Sequence, residues 1–426
     1  MTGPTCLFER WECDWSDGRV GDPRGRRRGL RLPSRRRVVS SLIRGLLRLT
    51  PPRPQVTVYG WPDHEGNAVA VVRFLARQAG ERRIVWLTNG AVPVPGATDR
   101  WIDRVRVLPK RSVRGFWAYL RSDVVCFTHG LYGSPDPQRG RVFINLWHGD
   151  GPKRTENPKF AARPGATGIV GQTRLWGEKK AAELGMPASS VLVVGNPRID
   201  DFAEPMTAEQ RRALVELLGP RFILWMPTYR DSNGAGFREW SDGRRLSDTG
   251  EMASLAEQAR SAAALHGITL AVKPHPMDRD VYAGVPGLLS VDDEALHRLG
   301  LSLYQVLGAS EALITDYSSV WTDYLVVDRP VLLLCPDYEE YAATRGFNVP
   351  DLRAVAPGPL VEDAAALEGF IADVAAGRDP FRERRLALVD EIGAVREPGA
   401  SGRLWEAVTR LRAGDTPSPR VEERTG

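Results

Sequence analysis

From residue 55 onward, short apolar runs alternate with amphipathic segments. The first series predicts a helix over Ala68–Gln78 and strands over Gln55–Tyr59, Arg83–Leu87, Val105–Leu108, Val124–Phe127 and Val142–Leu146. The second predicts a helix over Met252–His266 and strands over Phe222–Met226, Thr269–Val272, Ala312–Ile314 and Val331–Cys335. Such alternation is typical of a parallel sheet with helices on both faces. We therefore predict an α/β protein of two open domains, with a ligand cleft between the carboxyl ends of their strands.

The boundary between the two series falls near residues 200–206. Just after it, Thr207 and Gln210 have the spacing of a capping box and predict a helix through Leu218. The predicted division is a tail over 1–54, an N-terminal domain over 55–203, a C-terminal domain over 204–412 and a disordered tail over 413–426. Residues 241–250 are predicted to form an exposed loop.

Charge and cysteine content narrow the possible partners. Eleven arginines and no acidic residue lie between Pro23 and Pro62. Since the net charge of the whole chain is +5, the remaining residues carry a net charge of −6. A general nucleic-acid binder spreads its basic charge over the folded domain, so nucleic acid is not expected as a partner. The four cysteines lack metal-ligand spacing, and neither a metal nor another cofactor is expected.

The first twenty residues contain four acidic residues and lack the apolar core of a secretory signal. No apolar run approaches the roughly 20 residues that span a bilayer. These features predict a cytoplasmic protein.

A basic amphipathic helix is predicted over residues 34–49. One face carries Arg37, Ser41, Arg44 and Arg48, and the other carries Val39, Leu42, Ile43, Leu46 and Leu49. Such helices commonly lie in the membrane interface, where each arginine near an anionic leaflet contributes about 1 kcal/mol. We expect residues 24–49 to bind an anionic membrane surface. The alternative is a helix that packs on the protein and leaves its arginines in solvent.

A cluster of hydroxyl groups follows the strand Ala312–Ile314. Thr315, Ser318 and Ser319 occupy a turn that leads into a helix, and free backbone N–H groups at a helix start favour an anion. The turn therefore predicts a site for a phosphorylated ligand. The alternative is that these residues only cap the helix.

Two histidines also follow predicted strands. His148 lies in a glycine-bounded loop, with Lys153 and Arg154 soon after it as candidates to bind an anionic group. His275 lies between two prolines that restrict the backbone. Each histidine alone fits a structural role as well as a catalytic one.

The order of these motifs resembles the CDP-glycerol glycerophosphotransferase family, the teichoic acid primases and polymerases of bacterial walls. The resemblance covers roughly residues 56–410 and rests on Trp-His-Gly, Gly-Asn-Pro-Arg-Ile-Asp, Pro-Thr-Tyr-Arg-Asp, Lys-Pro-His-Pro, Thr-Asp-Tyr-Ser-Ser, Asp-Arg-Pro and Arg-Gly-Phe. It implies a GT-B fold of two Rossmann-like domains, in which the N-terminal domain binds the acceptor and the C-terminal domain mainly binds the nucleotide donor.

The resemblance also implies roles for particular residues. His148 would take the proton from the acceptor hydroxyl, and His275 would contact the donor pyrophosphate or the leaving phosphate. Lys153 and Arg154 would lie on the acceptor side. The implied donor-binding residues are Arg230, Lys273, Thr315, Asp316, Ser318, Ser319, Glu339 and Glu340, with Thr315 and Asp316 shaping the turn and the two glutamates meeting glycerol or ribose hydroxyls.

One loop departs from the family pattern, because Asp150-Gly151-Pro152 stands where the family has Thr-Pro-Leu. The acceptor is therefore left open. His129, at the same edge of the predicted sheet, fits either a ligand contact or a turn residue.

The reaction implied is attack by an acceptor hydroxyl on the glycerol-bearing phosphorus of CDP-glycerol, with CMP leaving. The acceptor would be a lipid-linked saccharide or a polyol phosphate, and the enzyme would lie peripherally on the cytoplasmic face of the plasma membrane. Alternatives are a CDP-ribitol donor, a GT-B glycosyltransferase or epimerase that uses a UDP-sugar, and a membrane scaffold without turnover.

Overall fold

The computed structural model describes residues 35–63, 66–78, 80–90, 100–133, 135–154, 165–228, 249–275 and 279–414. The predicted helix over 34–49 is present as α1, Arg35–Leu49. Residues 24–34, most of the predicted loop over 241–250, and residues 415–426 of the predicted tail lie outside the described residues. Ala413 is not part of a tail, because the last helix of the chain extends through it.

The first sheet has seven parallel strands in the order β3-β2-β1-β4-β5-β6-β7. Their bounds are β1 Arg53–Tyr59, β2 Arg83–Thr88, β3 Val105–Pro109, β4 Ser122–Phe127, β5 Val142–Asn145, β6 Gly168–Gly171 and β7 Val191–Val193. The helices that connect them are α2 Asn67–Arg77, α3 Val113–Arg121 and α4 Arg174–Glu183. The strand order reverses between β1 and β4, which is where Rossmann-type sheets bind ligands.

The second sheet repeats this plan with six parallel strands in the order β10-β9-β8-β11-β12-β13. Their bounds are β8 Phe222–Met226, β9 Thr269–Val272, β10 Leu289–Ser290, β11 Ala312–Thr315, β12 Val331–Leu334 and β13 Leu360–Val361. The helices associated with it are α5 Ala208–Leu218, α6 Thr249–Leu265, α7 Arg279–Ala283, α8 Asp293–Leu299, α9 Leu303–Ala309, α10 Val320–Tyr324, α11 Tyr338–Thr344, α12 Ala364–Ala375 and α13 Arg382–Glu391. This sheet reverses its order between β8 and β11, and a second ligand-binding edge is therefore expected there.

The predicted α/β fold with two Rossmann-like sheets is confirmed. The strands predicted from apolar runs agree with the structure to within one or two residues, because the side chains of most of them are buried on both faces of their sheet. Strand β3 is the exception, since Arg106 and Val107 are exposed. The capping box of Thr207 and Gln210 opens α5, with both reciprocal hydrogen bonds present.

The last helix, α14 (Ala400–Ala413), packs against the first sheet. Its residues Leu404, Ala407 and Val408 belong to the same buried cluster as strands β1 and β4. Both carboxylate oxygens of Asp200 accept hydrogen bonds from the backbone at the start of this helix, including Ala400 N–H at 2.6 Å. Helix α14 therefore packs back against the first sheet. The division into residues 55–203 and 204–412 stays a prediction.

Helix α1 buries one side of its apolar arc and exposes the other. Ile43 and Leu47 are buried against the first sheet, whereas Leu42 and Leu49 are 64% and 81% exposed. Part of the apolar face of α1 therefore packs against the protein body, and the rest of it is exposed.

Candidate functional site

The turn after β11 is tied to the end of the neighbouring strand β8. Thr315 Oγ1 donates a hydrogen bond to the carbonyl oxygen of Met226 at 2.6 Å, and Thr228 N–H donates to Asp316 at 2.8 Å. Both Thr315 and Asp316 are buried. Their side chains fix the shape of the turn, and direct contact between these side chains and a ligand stays a prediction.

Ser318 and Ser319 continue this turn toward the cleft. They are half-buried and lie immediately before α10. Ser319 has helical backbone angles and its hydroxyl makes no capping hydrogen bond, so helix capping does not account for this side chain. The turn leaves a hydroxyl directed at the opposite domain.

The Trp-His-Gly loop of the first sheet meets this turn. A β-carbon placed on Gly149 would lie 2.5 Å from Ser319 Oγ, and one on Gly151 would lie 2.7 Å from Ser319 Cβ. Any side chain at either glycine would therefore displace the loop from Ser319. Glycine at these positions allows the carboxyl ends of the two sheets to come into contact.

Several contacts fix the backbone around His148. Trp147 has a positive φ of 51°, and its indole N–H donates to the Gly149 carbonyl at 2.9 Å. The side-chain amide of Asn67 donates to the carbonyl oxygens of Leu146 and Trp147 at 2.9 and 3.2 Å. The loop thereby presents the imidazole of His148 to the cleft.

His148 lines a cavity of about 470 Å³ between the two domains. The first domain contributes α2 to its wall, and the second contributes α8, α9 and the turn at Ser318 and Ser319. Although His148 is open to the cleft, the protein around it removes water and so lowers its pKa well below the usual value, and His129, Arg198, Lys180 and Lys153 add to this effect. The imidazole is therefore neutral and able to accept a proton at physiological pH.

Asp150, in the part of the loop that departs from the family pattern, is buried in the first domain. Its carboxylate accepts hydrogen bonds from the backbone N–H groups of Gln172 and Thr173 at 2.9 and 3.0 Å. Its carbonyl oxygen accepts one from Thr322 Oγ1 at 3.1 Å. Asp150 thus anchors the loop, and its carboxylate is turned toward Gln172 and Thr173 of the first domain.

Lys153 and Arg154 lie against the second domain. The chain at Lys153 forms an antiparallel bridge with Phe347, and Asn348 N–H donates to the Pro152 carbonyl at 2.7 Å. Lys153 is near both histidines, since its charge contributes to the lowered pKa of His148 and of His275. The predicted acceptor-side pair therefore reaches the donor side as well.

The Lys-Pro-His-Pro segment follows β9 at the edge of the second sheet. Partial burial lowers the pKa of His275, and the charges of Lys153 and Lys273 lower it further. Lys273 forms an ion pair of 2.7 Å with Asp293. The structure therefore places His275, Lys273 and Lys153 in one region.

Two predicted donor residues are not brought into this arrangement, and a third is not described. Glu339 and Glu340 are exposed on the first turn of α11, Glu339 pairs with Arg353 at 3.2 Å, and neither lines the cavity. Arg230 lies outside the described residues. Their roles stay predictions.

A buried ion pair between the domains was not identified as part of the site from the sequence. Arg198 donates to Asp323 Oδ2 at 2.6 and 2.9 Å and to the backbone carbonyl of His148 at 2.9 Å. Asp323, which is fully buried in α10, also accepts from Asn196 Nδ2 at 2.7 Å and from the Tyr304 hydroxyl. Arg198 lies in the Gly-Asn-Pro-Arg-Ile-Asp motif, but only the fold brings it to Asp323.

Burial alone lowers the pKa of Arg198, but the Asp323 carboxylate outweighs this effect and raises that pKa above its usual value. The guanidinium therefore stays charged between Asp323 and His148. In the part of the chain that the structure describes, no cluster of three or more acidic, histidine or cysteine side chains has the arrangement of a metal site. None of the described helices is long and apolar enough to cross a membrane.

A profile of known proteins matches residues 53–410, and it describes CDP-Glycerol:Poly(glycerophosphate) glycerophosphotransferase. The chain belongs to this family. The predicted family resemblance is confirmed, and the match includes both sheets, the Trp-His-Gly loop and the Ser318–Ser319 turn.

Two curated relatives illustrate the range of the family. Teichoic acid ribitol-phosphate primase of Bacillus spizizenii is 29% identical over 187 residues, which are 43% of this chain and 44% of the primase. Teichoic acid glycerol-phosphate transferase of Staphylococcus aureus is 31% identical over 100 residues, or 23% of this chain and 25% of that protein. The chain therefore matches less than half the length of these family members.

The solved structure of the wall teichoic acid polymerase TagF has the same fold. It superposes with a TM-score of 0.64 at 17% identity, over 88% of this chain and 94% of the TagF chain. A histidine variant of TagF with CDPG gives a TM-score of 0.64 at 16% identity, over 89% and 94% of the two chains. Both likenesses support the two-domain fold of the family.

The ion pair between the domains gives a first prediction. Asp323→Asn leaves the Arg198 charge without its buried partner, so we expect a loss of about 3 kcal/mol in the free energy of unfolding. Urea denaturation measures it, and the matched control is Glu294→Gln, which breaks the exposed pair with Arg298 and changes stability by less than about 0.5 kcal/mol. Arg198→Met combined with Asp323→Asn is expected to cost less than the sum of the single changes. Additive effects would show that the two residues do not act as a pair.

Proposed function

We propose that this protein transfers glycerol phosphate from CDP-glycerol to a hydroxyl group of a membrane-linked cell-wall acceptor and releases CMP. The observation that carries the proposal is the meeting of His148 with the Ser318–Ser319 turn across the cleft. Membership of the glycerophosphotransferase family supports it.

In the proposed reaction, His148 is the general base. Its neutral imidazole takes the proton of the acceptor hydroxyl as the oxygen attacks the glycerol-bearing phosphorus. A new bond forms between that oxygen and phosphorus, and the bond from phosphorus to the bridging oxygen of the pyrophosphate breaks. The electron pair leaves with CMP.

The donor side of the site would hold the pyrophosphate. Ser318 and Ser319 offer hydroxyl and backbone donors, and His275 and Lys153 lie on the same side of the cleft. Phosphoryl transfer depends mainly on alignment and on stabilisation of developing charge, which is what such groups supply. Arg198 would position His148 through the carbonyl oxygen of His148, and Asn67 would do so through that of Trp147.

A ribitol phosphate donor is a second candidate. The relative that is 29% identical over 187 residues is a ribitol-phosphate primase, which favours testing CDP-ribitol beside CDP-glycerol. A screen of CDP-glycerol, CDP-ribitol and UDP-sugars for nucleotide release separates these donors. The acceptor, and the addition of one unit or many, are decided by mass spectrometry of the products.

Replacement of the base gives a second prediction. His148→Ala is expected to reduce CMP release from CDP-glycerol by at least about 100-fold, because general bases contribute 10²–10⁴-fold, while CDP-glycerol binding is retained. In the wild type, kcat/KM is expected to stay constant as the pH falls and to decrease only below pH 6.5, because the lowered pKa of His148 keeps the imidazole unprotonated down to a lower pH. His266→Ala, an exposed histidine on the second domain, is the matched control. Near-normal turnover of His148→Ala would exclude it as the base.

We further propose that α1 attaches the enzyme to an anionic membrane. The described residues expose an apolar stripe of Val38, Leu42, Leu46 and Leu49, while Ile43 and Leu47 fix the helix to the body. Helix α3 contacts α1 and exposes two more apolar side chains, Val113 and Trp117, which fits the use of tryptophan at membrane interfaces. The location on the cytoplasmic face of the plasma membrane stays a prediction.

Membrane attachment gives a third prediction. Leu42→Asp with Leu46→Asp is expected to weaken sedimentation with vesicles that contain phosphatidylglycerol by about tenfold or more, because the stripe loses its apolar contact. Both side chains are exposed, so the fold should be unaffected, and Leu265→Asp, 87% exposed on α6, is the matched control. Unchanged sedimentation of the double variant would overturn this attachment.

A further inference from the structure

An exposed tryptophan lies beside the proposed catalytic base. Trp61 follows β1 and is 64% exposed. Its ring contacts the ring of His129 edge to face, with centroids 5.9 Å apart. His129 in turn stacks on His148, with centroids 5.0 Å apart and planes 13° apart. Three rings thus form a row that ends at the base.

Hydrogen bonds hold this row in place. Trp61 N–H donates to Thr128 Oγ1 at 3.1 Å, and the same oxygen lies 2.8 Å from His129 Nδ1. Lys110 Nζ donates to the carbonyl oxygen of Gly60 at 2.5 Å. The exposed indole is therefore mounted on a fixed backbone at the point where the strand order of the first sheet reverses, and such points are ligand sites in this architecture.

The surroundings of these rings favour a neutral ligand. Although the surface of His129 is open to the cleft, the protein around the ring removes water and lowers its pKa to about 4, with Lys110 adding to the effect. The ring is therefore uncharged at physiological pH. The charge of Lys110 is paired with Asp63. A phosphate group gains little from such a surface, whereas the C–H faces of a sugar ring pack well on aromatic rings.

A loop also connects the row to α1, the helix proposed to contact the membrane. The loop that continues from His129 reaches α1, where the position of a β-carbon on Gly133 is 3.3 Å from Val39. An acceptor with its lipid in a membrane at α1 would pass this loop before its hydroxyl reached His148.

Building on the proposed function, we propose that Trp61 and His129 form a subsite for a sugar ring of the lipid-linked acceptor. The subsite orients the saccharide so that its hydroxyl group lies at His148, and the donor binds separately on the second domain. It makes Trp61 a specificity-determining residue for acceptors that carry a saccharide.

The subsite is tested by measuring the binding of N,N′-diacetylchitobiose to the whole protein by saturation-transfer NMR and by titration. Trp61→Ala is expected to weaken binding about five- to tenfold, as loss of an aromatic contact does, whereas Trp61→Phe keeps a ring and stays within about twofold of the wild type. Phe381→Ala, a 40% exposed aromatic on the second domain, is the control and should bind normally. Thermal melts verify that each variant is folded.

Kinetics then separate the subsite from the proposed function. With CDP-glycerol and a lipid-linked saccharide acceptor, Trp61→Ala is expected to raise the acceptor KM with the CDP-glycerol KM unchanged. Disaccharide binding that depends on Trp61, in a wild type that never releases CMP, would support the subsite and contradict the transferase. Absence of disaccharide binding in the wild type, or equal binding by Trp61→Ala, would overturn the subsite even if CMP is released.

Discussion

The site depends on the buried ion pair between Arg198 and Asp323. Residues of both domains line the cavity, so its shape depends on how the domains are held together. Asp323 lies one helical turn beyond Ser319, and Arg198 also donates to the carbonyl oxygen of His148. A single guanidinium therefore connects α10, which follows the Ser318–Ser319 turn, to the backbone of His148. Separating the two domains would break this buried pair and leave an uncompensated charge, so the pair stabilises their arrangement.

Close packing of small residues completes that arrangement. Gly149 and Gly151 allow the Trp-His-Gly loop to touch Ser319, and the chain around Lys153 pairs with the chain around Phe347. In the loop that departs from the family pattern, Asp150 anchors the backbone to Gln172 and Thr173. With this loop, His148 lies in the cleft.

The sequence predicts this fold well because its strands are continuous apolar runs, such as Ile223–Trp225, which are buried on both faces. His148 and His275 could be proposed because ligand sites in such folds lie where strands end. The pairing of Arg198 with Asp323 could not, since 125 positions separate them and only the tertiary fold joins them. The sequence also could not predict which apolar residues of α1 are buried and which are exposed, because helical periodicity does not tell which part of an apolar face packs against the protein. Glu339 and Glu340 show the opposite case, a motif that the fold places on an exposed helix turn away from the cavity.

The central claim is that the Ser318–Ser319 turn of the second domain binds the donor opposite His148. The most direct measurement is the affinity of the protein for CDP-glycerol, determined by calorimetry. The wild type is compared with a variant that carries both Ser318→Ala and Ser319→Ala. Ser254→Ala, on the exposed side of α6, is the control. Loss of the hydroxyl donors to the pyrophosphate should weaken binding about tenfold or more, since hydrogen bonds to charged groups contribute about 1.5–3 kcal/mol. An unchanged affinity in the double variant would contradict the account.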